Sequence, residues 1–520
     1  VSGGFRSRSE GRRKDTRPPR PAGPQQGKKR DDERGAGRNG GHNRGHNQGG
    51  NQGGNQGHNQ GGGRQRYSVK GRPASIGDPA REAAFEVVLR VARDGAYANL
   101  TLPGILKERK IKGRDAAFAT ELAYGTLRTL GVLDEVIAAN SSRGLERIAP
   151  EVLAALRLGT YQLLYTRVDD HAAVDTSVRL VQAAGQEQAK GFTNGVLRSI
   201  ARTPAPEWMR KLAPSGELAA LAFTHAHPEW IARSFKEALG PSADELEEAL
   251  RVDSQRPVVH LVARPGEISA EELALITGGE QGKYSPYAVY LPEGDPGSLE
   301  PVRDGLAAVQ DEGSQLIARA MTEVPVDNDQ GRWLDLCAGP GGKAALIGAI
   351  AGIDGARVDA VEVSPHRAEL ISKTVRDLPV TVHIADGRDP GLEPGFDRVL
   401  VDAPCSGLGA LRRRPEARWT KAEGDIAELN TLQAELLESA VNLAKPGGVI
   451  VYSTCSPDVR ETRSIVDKQL ALGNVEELDA RQWAMEDVGE GPSVQMWPHR
   501  HGTDAMFFAV LRKTPQDGIR

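Results

Sequence analysis

The chain has 520 residues, more than one ordinary core organises, and a prior of about 150 residues per domain gives roughly three compact units. Hydrophobic residues make up 39% and charged residues 26%, and no run approaches the roughly 18 to 20 apolar residues needed to span a bilayer, which excludes an integral membrane protein. The net charge of −4 hides two opposed parts: residues 1–76 carry about 17 Lys and Arg against about 5 Asp and Glu, so the body lies near −16 and RNA contact must come from local patches or from the tail.

The tail, 1–76, is low in complexity: an Arg/Gly/Pro-rich stretch, then the degenerate repeat GHNRGHNQGGNQGGNQGHNQGGG at 41–63. With almost no apolar side chains to offset the entropy of ordering, it is expected to be disordered. His42, His46 and His58 lack a tight spacing and a scaffold, so a solvated linker is favoured there over metal binding. Its arginines suit a nonspecific, salt-sensitive attraction to phosphates.

Residues 77–203 read as an all-helical domain. PAREAAFEVVLRVA, RDAAFATELAYGTLRTLGVLDEVIAA, PEVLAALRLGTYQLLYT, HAAVDTSVRLVQAA and AKGFTNGVLRSIAR each repeat apolar residues at three-to-four spacing. A helical bundle alone is equally a structural or dimerising module. The stretches ELAYGTLRTLGVLDEVI, LGTYQLLYTRVDDHAAV and GFTNGVLRSIAR, however, resemble the NusB-type RNA-binding domain fused to one class of bacterial rRNA methyltransferases.

Residues 204–326 read as a small α/β subdomain, with a helix at HPEWIARSFKEAL, a strand at RPVVHLVAR, a helix at EISAEELALI and strand candidates YAVYLPE and GLAAVQDEGSQ. From 327 to 513 strands and helices alternate as in a doubly wound, Rossmann-like α/β sheet, with 514–520 as a short C-terminal tail. Strands are expected at WLDLC (333–337), ARVDAVEV (356–363), VTVHIAD (380–386), FDRVLVDAP (396–404), GGVIVYSTCS (447–456) and AMFFAVLRK.

The first chemical signal follows the first of these strands: Cys337, Ala338, Gly339, Pro340, Gly341, Gly342 and Lys343. Glycines let the backbone approach a ligand, and the following helix N-terminus favours a carboxylate. Such a loop also serves nucleotides, flavins and dinucleotides, but here there is neither GxGxxG spacing nor a Walker GK[ST]. Glu362 ends the next strand, where an acid can accept both ribose hydroxyls, and Asp386 ends the third, on the same carboxyl edge. Three sites on one edge fit S-adenosylmethionine, which has a ribose and an adenine but no phosphate.

The second signal is the pair Asp402-Ala403-Pro404-Cys405 and Ser453-Thr454-Cys455-Ser456, each ending an apolar strand. A lone free cysteine is commonly a small buried hydrophobe, whereas two at strand carboxyl ends stand where α/β folds place their chemistry. With only one further cysteine, Cys337, no disulfide framework is expected, and the chain reads as a protein of the reducing cytoplasm. Cytosine carbon-5 is too weak a nucleophile to take a methyl group unaided, so enzymes that methylate it first add a thiolate to carbon-6. An acid must then stabilise charge near ring N3 and a base must remove the carbon-5 proton. Asp402, three residues before Cys405, is placed for the first task.

LDLCAGPGGKA, VEVSPHR, ADGRDP, DAPCSGLGALRRRPEARW and VYSTCSPDVRETRS resemble, in order, the motifs of the RsmB/Nop2/NSUN family of RNA cytosine-5 methyltransferases, with the NusB-like part pointing to the bacterial RsmB branch. The resemblance covers about residues 77–513. It implies Cys455 as the nucleophile and Cys405 as the thiol that assists product release, with Lys343 and Asp402 completing the catalytic set. It also implies the 337–343 loop as the cofactor loop, Glu362 on the ribose, Asp386 near the adenine, Asp402 between cofactor and cytosine, and Cys337 as a loop residue without thiol chemistry. Two departures are visible: Gly339 stands where the family often has Ala, and Glu362 where the RsmB branch often has Asp.

The run Arg412-Arg413-Arg414-Pro415-Glu416-Ala417-Arg418-Trp419 is the most concentrated positive patch of the catalytic body. A charge run is usually a solvated face; four arginines beside an active-site loop on an acidic body are favoured as RNA-phosphate ligands. The expectation is therefore a monomeric S-adenosylmethionine-dependent RNA cytosine-5 methyltransferase of small-subunit rRNA, needing no metal and acting on an unstacked base. The alternatives are the same reaction on tRNA, or a non-catalytic RNA-binding or ribosome-assembly factor.

Overall fold

The computed structural model describes residues 75–515; the tail, with His42, His46 and His58, lies almost wholly outside them, as do residues 516–520. Ile76, assigned to the tail from sequence, is buried in the helical core, so that core starts slightly earlier than its composition suggests.

The helical part comprises α1 (Pro79–Asp94), α2 (Ala98–Glu108), α3 (Gly113–Arg128), α4 (Leu130–Asn140), α5 (Pro150–Tyr165), α6 (Asp170–Ala183), α7 (Lys190–Ala201) and α8 (Ala205–Leu212). Local signals set its ends: the Asp78 carboxylate accepts from the Arg81 amide at the start of α1, and Gly95 closes it in the left-handed region at φ 61°. The apolar stripes of α1, α3 and α5 meet in one core with Val87, Leu122, Leu127 and Leu156 fully buried. The long stripe from Arg114 breaks at Thr129 into α3 and α4, whereas α2, with Pro103 inside it, carries no clean stripe and was missed.

Helices α9 (Glu217–Thr224), α10 (Glu229–Leu239) and α11 (Leu246–Asp253) lead into a four-stranded antiparallel sheet. Its order is β2 (Glu280–Gln281), β3 (Ala288–Leu291), β1 (Val259–Ala263), β4 (Ala307–Val309), with α12 (Ala270–Thr277) and α13 (Glu300–Arg303) between strands. The candidate strand GLAAVQDEGSQ is a strand only to Val309. Asp311, accepting from the Gly313 amide, caps α14 (Glu312–Glu323), and the rest of that segment is helix.

The third part is built on β5 (Arg332–Asp335), α15 (Gly342–Asp354), β6 (Arg357–Val361), α16 (Pro365–Thr374), β7 (Val380–His383), β8 (Phe396–Asp402), α17 (Ala417–Thr420), α18 (Asp425–Leu443), β9 (Ala444–Thr454), α19 (Arg463–Ala471), β10 (Val475–Leu478), β11 (Val494–Gln495), α20 (Pro498–His501) and β12 (Phe507–Lys513). The sheet runs β7-β6-β5-β8-β9-β12-β10, parallel as far as β9, with β12 antiparallel between β9 and β10 and β11 paired to β12. The strand order reverses between β5 and β8, and in such sheets ligands bind outside the strand carboxyl ends at that switch. Strands β5, β8 and β9 are buried on both faces, which explains their continuous apolar runs.

Candidate active site

All the carboxyl-edge residues singled out from sequence come from the ends of β5 to β9. The 337–343 loop joins β5 to α15, with Gly341 at φ 113°, a conformation that strains any L side chain, where an added Cβ would also press on the Ile371 backbone at 3.2 Å. A Cβ on Gly339 would lie 2.0 Å from Oε2 of Glu362. The two departures from the family pattern therefore meet: the longer acid occupies the space that the smaller loop residue leaves. Glu362, only 4% exposed, accepts from the Ser364 amide at 2.7 Å and pairs with Arg367 at 2.7 Å.

Asp386 sits at the end of the neighbouring strand and accepts from the amide and guanidinium of Arg388, which hold its carboxyl at about 2. Val363 and Ile384, each beside one of these acids, are 59% and 61% exposed. Exposed aliphatics at a sheet's carboxyl edge are the signal that sequence reading passed over. Cys337 is half-buried, and burial pushes its thiol well above the usual range.

The chemistry-bearing side chains converge at β8 and β9. Lys343, buried in the first turn of α15, donates to Oδ2 of Asp402 at 2.8 Å, and Ser453 donates to Oδ1 at 3.0 Å. Burial alone would lower the Lys343 ammonium, but the Asp402 carboxylate outweighs it and leaves it above its ordinary value. Cys405 and Cys455 face each other with sulfurs 3.4 Å apart. The hydrogen bond from Cys405 lowers the Cys455 thiol despite its burial, with Arg414 and Lys343 acting in the same sense, and the Cys405 thiol is raised well above its usual range.

A buried network keeps the two thiol loops together. The fully buried Glu461 accepts from the Ser406 amide at 2.8 Å, from its hydroxyl, and from Nε2 of Gln433 at 3.1 Å. Gln433 also donates to the Pro404 carbonyl at 2.9 Å, and the Gly409 amide donates to the Cys455 carbonyl at 2.9 Å. Beneath the 337–343 loop, Asp335 is buried with both carboxyl oxygens outside hydrogen-bond geometry among the described residues. Burial, then the Asp402 charge, raise its carboxyl to about 7. The acid inside the apolar run WLDLC was its signal, and it was read only as part of a motif.

The arginine run needs correction. Arg412 pairs with Asp504 at 3.1 Å, Arg413 with Asp311 at 2.8 Å and Asp504 at 2.9 Å, and the fully buried Arg418 with Asp253 at 2.7 Å while donating to the Ala226 carbonyl. These three are internal clamps, because their acidic partners arrive from distant segments. Only Arg414 is exposed, with its charge felt at Cys455. The loop is further tied to the helical part: the Trp419 indole donates to the Arg128 carbonyl at 3.2 Å, and Glu416 accepts from the Ala98 amide at 3.2 Å. Among the described residues no group of three or more His, Cys, Asp or Glu is arranged to hold a metal, and no helix is long and apolar enough to cross a membrane.

Residues 320–512 match the family model for the 16S rRNA methyltransferase RsmB/F, and residues 78–202 match the NusB family. The chain is 57% identical over 442 residues to the Mycobacterium tuberculosis protein named "Putative methyltransferase Rv1407", covering 84% of this chain and 97% of that one. It is 33% identical over 444 residues to ribosomal RNA small subunit methyltransferase B of Klebsiella pneumoniae, covering 83% and 98%. The crystal structure of PH0851 shares the fold, with a TM-score of 0.73 at 23% identity, over 84% of this chain and 99% of that one. With a NusB-like helical part, this sheet order and these relatives, the chain belongs to the RsmB/F family of RNA methyltransferases.

Proposed function

We propose that this protein transfers a methyl group from S-adenosylmethionine to carbon-5 of a cytosine in small-subunit rRNA, through a covalent adduct on Cys455. The observation that carries the reading is the thiol pair, with sulfurs 3.4 Å apart beside the Lys343–Asp402 pair. A second thiol at that distance suits a reaction in which one thiol attacks and is later expelled with the other's help.

The edge fits the methyl donor. Gly339 and Gly341 leave room for close backbone approach, Glu362 offers a buried acceptor for ribose hydroxyls, and Val363 and Ile384 present apolar surface on which an adenine can rest beside Asp386. When bound there, S-adenosylmethionine supplies an electrophilic methyl group. The chain's own residues do the rest. Cys455, the more acidic thiol, adds to carbon-6 of the cytosine. Asp402, oriented by Lys343 and Ser453, stabilises the charge developing near ring N3. Elimination then passes the carbon-5 proton to a base and breaks the carbon-6–sulfur bond, returning Cys455 as a thiolate, and Cys405 beside it assists that departure. Arg414 is the residue of the run left free to meet a phosphate.

The test separates the thiols. Cys455→Ala should abolish methylation and form no adduct, whereas Cys405→Ala should leave methylated RNA on Cys455 as a denaturation-resistant protein–RNA band that requires S-adenosylmethionine. Denaturing gels of each variant with rRNA, with and without S-adenosylmethionine, read this out. An adduct on Cys455→Ala would exchange the two roles, and no adduct on either variant would remove the covalent mechanism.

A further inference from the structure

We infer that helix α2 and the basic turn after it form a track for single-stranded RNA leading to the thiol pair. The inference rests on the RNA reading above and adds the surface that carries the strand. The segment Lys107-Glu108-Arg109-Lys110-Ile111-Lys112-Gly113-Arg114 holds five cations in eight residues of a body whose net charge is near −16. Arg109 is taken up by Glu86, but Lys107, Lys110, Lys112 and Arg114 are exposed and their side chains make no hydrogen bond or ion pair among the described residues.

The turn is built, not loose. The Ile111 amide donates to the Leu106 carbonyl at 2.9 Å, Lys110 holds φ 57°, and Ile111 is buried in the helical core. Anchored this way, the flanking Lys110 and Lys112 keep their side chains in solvent.

At its other end, α2 meets the active-site loop. The Ala98 amide donates to Glu416, two residues from Arg414, whose charge reaches Cys455. At this active-site end lie Tyr97, the N-cap residue, 57% exposed, and Leu100, 71% exposed, while Ala98, Leu102 and Ile105 carry the packing of α2 on the core. Eleven helical residues span about 16 Å, so cations stand at both ends of a strip with an aromatic ring at its active-site end. Cations for phosphates and a ring for stacking are what a single strand needs, and an acidic body repels that strand elsewhere.

The test uses the full chain and two labelled single-stranded RNAs of equal length, one with cytosines and one without. Replacing Lys107, Lys110, Lys112 and Arg114 with Gln should make the plot of log affinity against log salt shallower by about 2 to 3. Tyr97→Ala should raise Kd about five- to a hundredfold with little change of slope. Both effects should appear on both RNAs, because the track reads backbone and stacking faces. An unchanged slope would overturn the inference, as would an equal loss on neutralising the exposed Lys236, Lys283, Arg303 and Lys468, or loss of a protein partner with RNA binding intact. Failure of the reading itself shows differently: wild type that binds both RNAs through the track but never methylates cytosine leaves the track standing and removes the reaction.

Discussion

Glu362 and Gly339 are fitted to each other, and a residue-scale prediction follows from that fit. Gly339→Ala puts a Cβ into the space of the Glu362 carboxylate and should weaken S-adenosylmethionine binding about tenfold or more, while Glu362→Asp added to it should restore most of the loss. Calorimetry on the two single variants and the double variant should give a coupling of about 0.5 to 3 kcal/mol, and additive effects would show that the two positions are independent. The residues most legible in the sequence were those whose type is rare. With three cysteines in the chain, two at apolar strand ends declared themselves, and their neighbourhood of Asp402 and Lys343 followed from the motifs. Arg412, Arg413 and Arg418 were misread because charge is local in sequence while its neutralisation is not. Asp504 and Asp253 lie about 90 and 165 residues away.

At the scale of elements, the segment from Cys405 to Trp419 acts as a strap whose two kinds of arginine should separate experimentally. Arg418→Ala leaves Asp253 buried, with Oδ1 already lacking a hydrogen-bond partner among the described residues, and should lower stability by about 3 to 5 kcal/mol, read as a fall in Tm. Arg414→Ala should leave Tm unchanged and weaken RNA binding; a loss of RNA affinity without a loss of Tm in Arg418→Ala would reverse this assignment. Strands with continuous apolar runs and helices with clean stripes were legible, because burial on both faces or on one stripe writes itself into spacing. Helix α2 was not, since Pro103 and Gly104 interrupt its pattern and tertiary contacts sustain it. The segment after Val309 was taken for strand because an apolar start hid the Asp311 cap that turns it into helix. The crossing of β12 back into the sheet was equally invisible, since pairing partners are not encoded by periodicity.

In the whole molecule the α10–α11 segment and the 405–419 strap meet around one buried cluster, His227, Asp253 and Arg418. Burial, then the Arg418 charge, push the His227 imidazole down to about 4 against the pull of Asp253, so it is neutral in the folded protein. Below its unfolded value of about 6.5 the unfolded chain takes up a proton that the folded protein refuses. Stability is therefore lost as pH falls from about 6.5 towards 4, by roughly 3 kcal/mol at the lower end. Tm measured from pH 7 to 4.5 should show this fall, and His227→Gln should flatten it; an equal slope in that variant would place the acid sensitivity elsewhere. The sheet order carries a consequence for how the protein is made. Strand β12 lies between β9 and β10 but is the last of them in sequence, so in a chain emerging from the ribosome the edge of β9, and with it the backbone that aims Cys455, stays unpaired until residues 507–513 arrive. Until then an apolar strand edge is open to misassociation, and the Cys455 loop is not held in place.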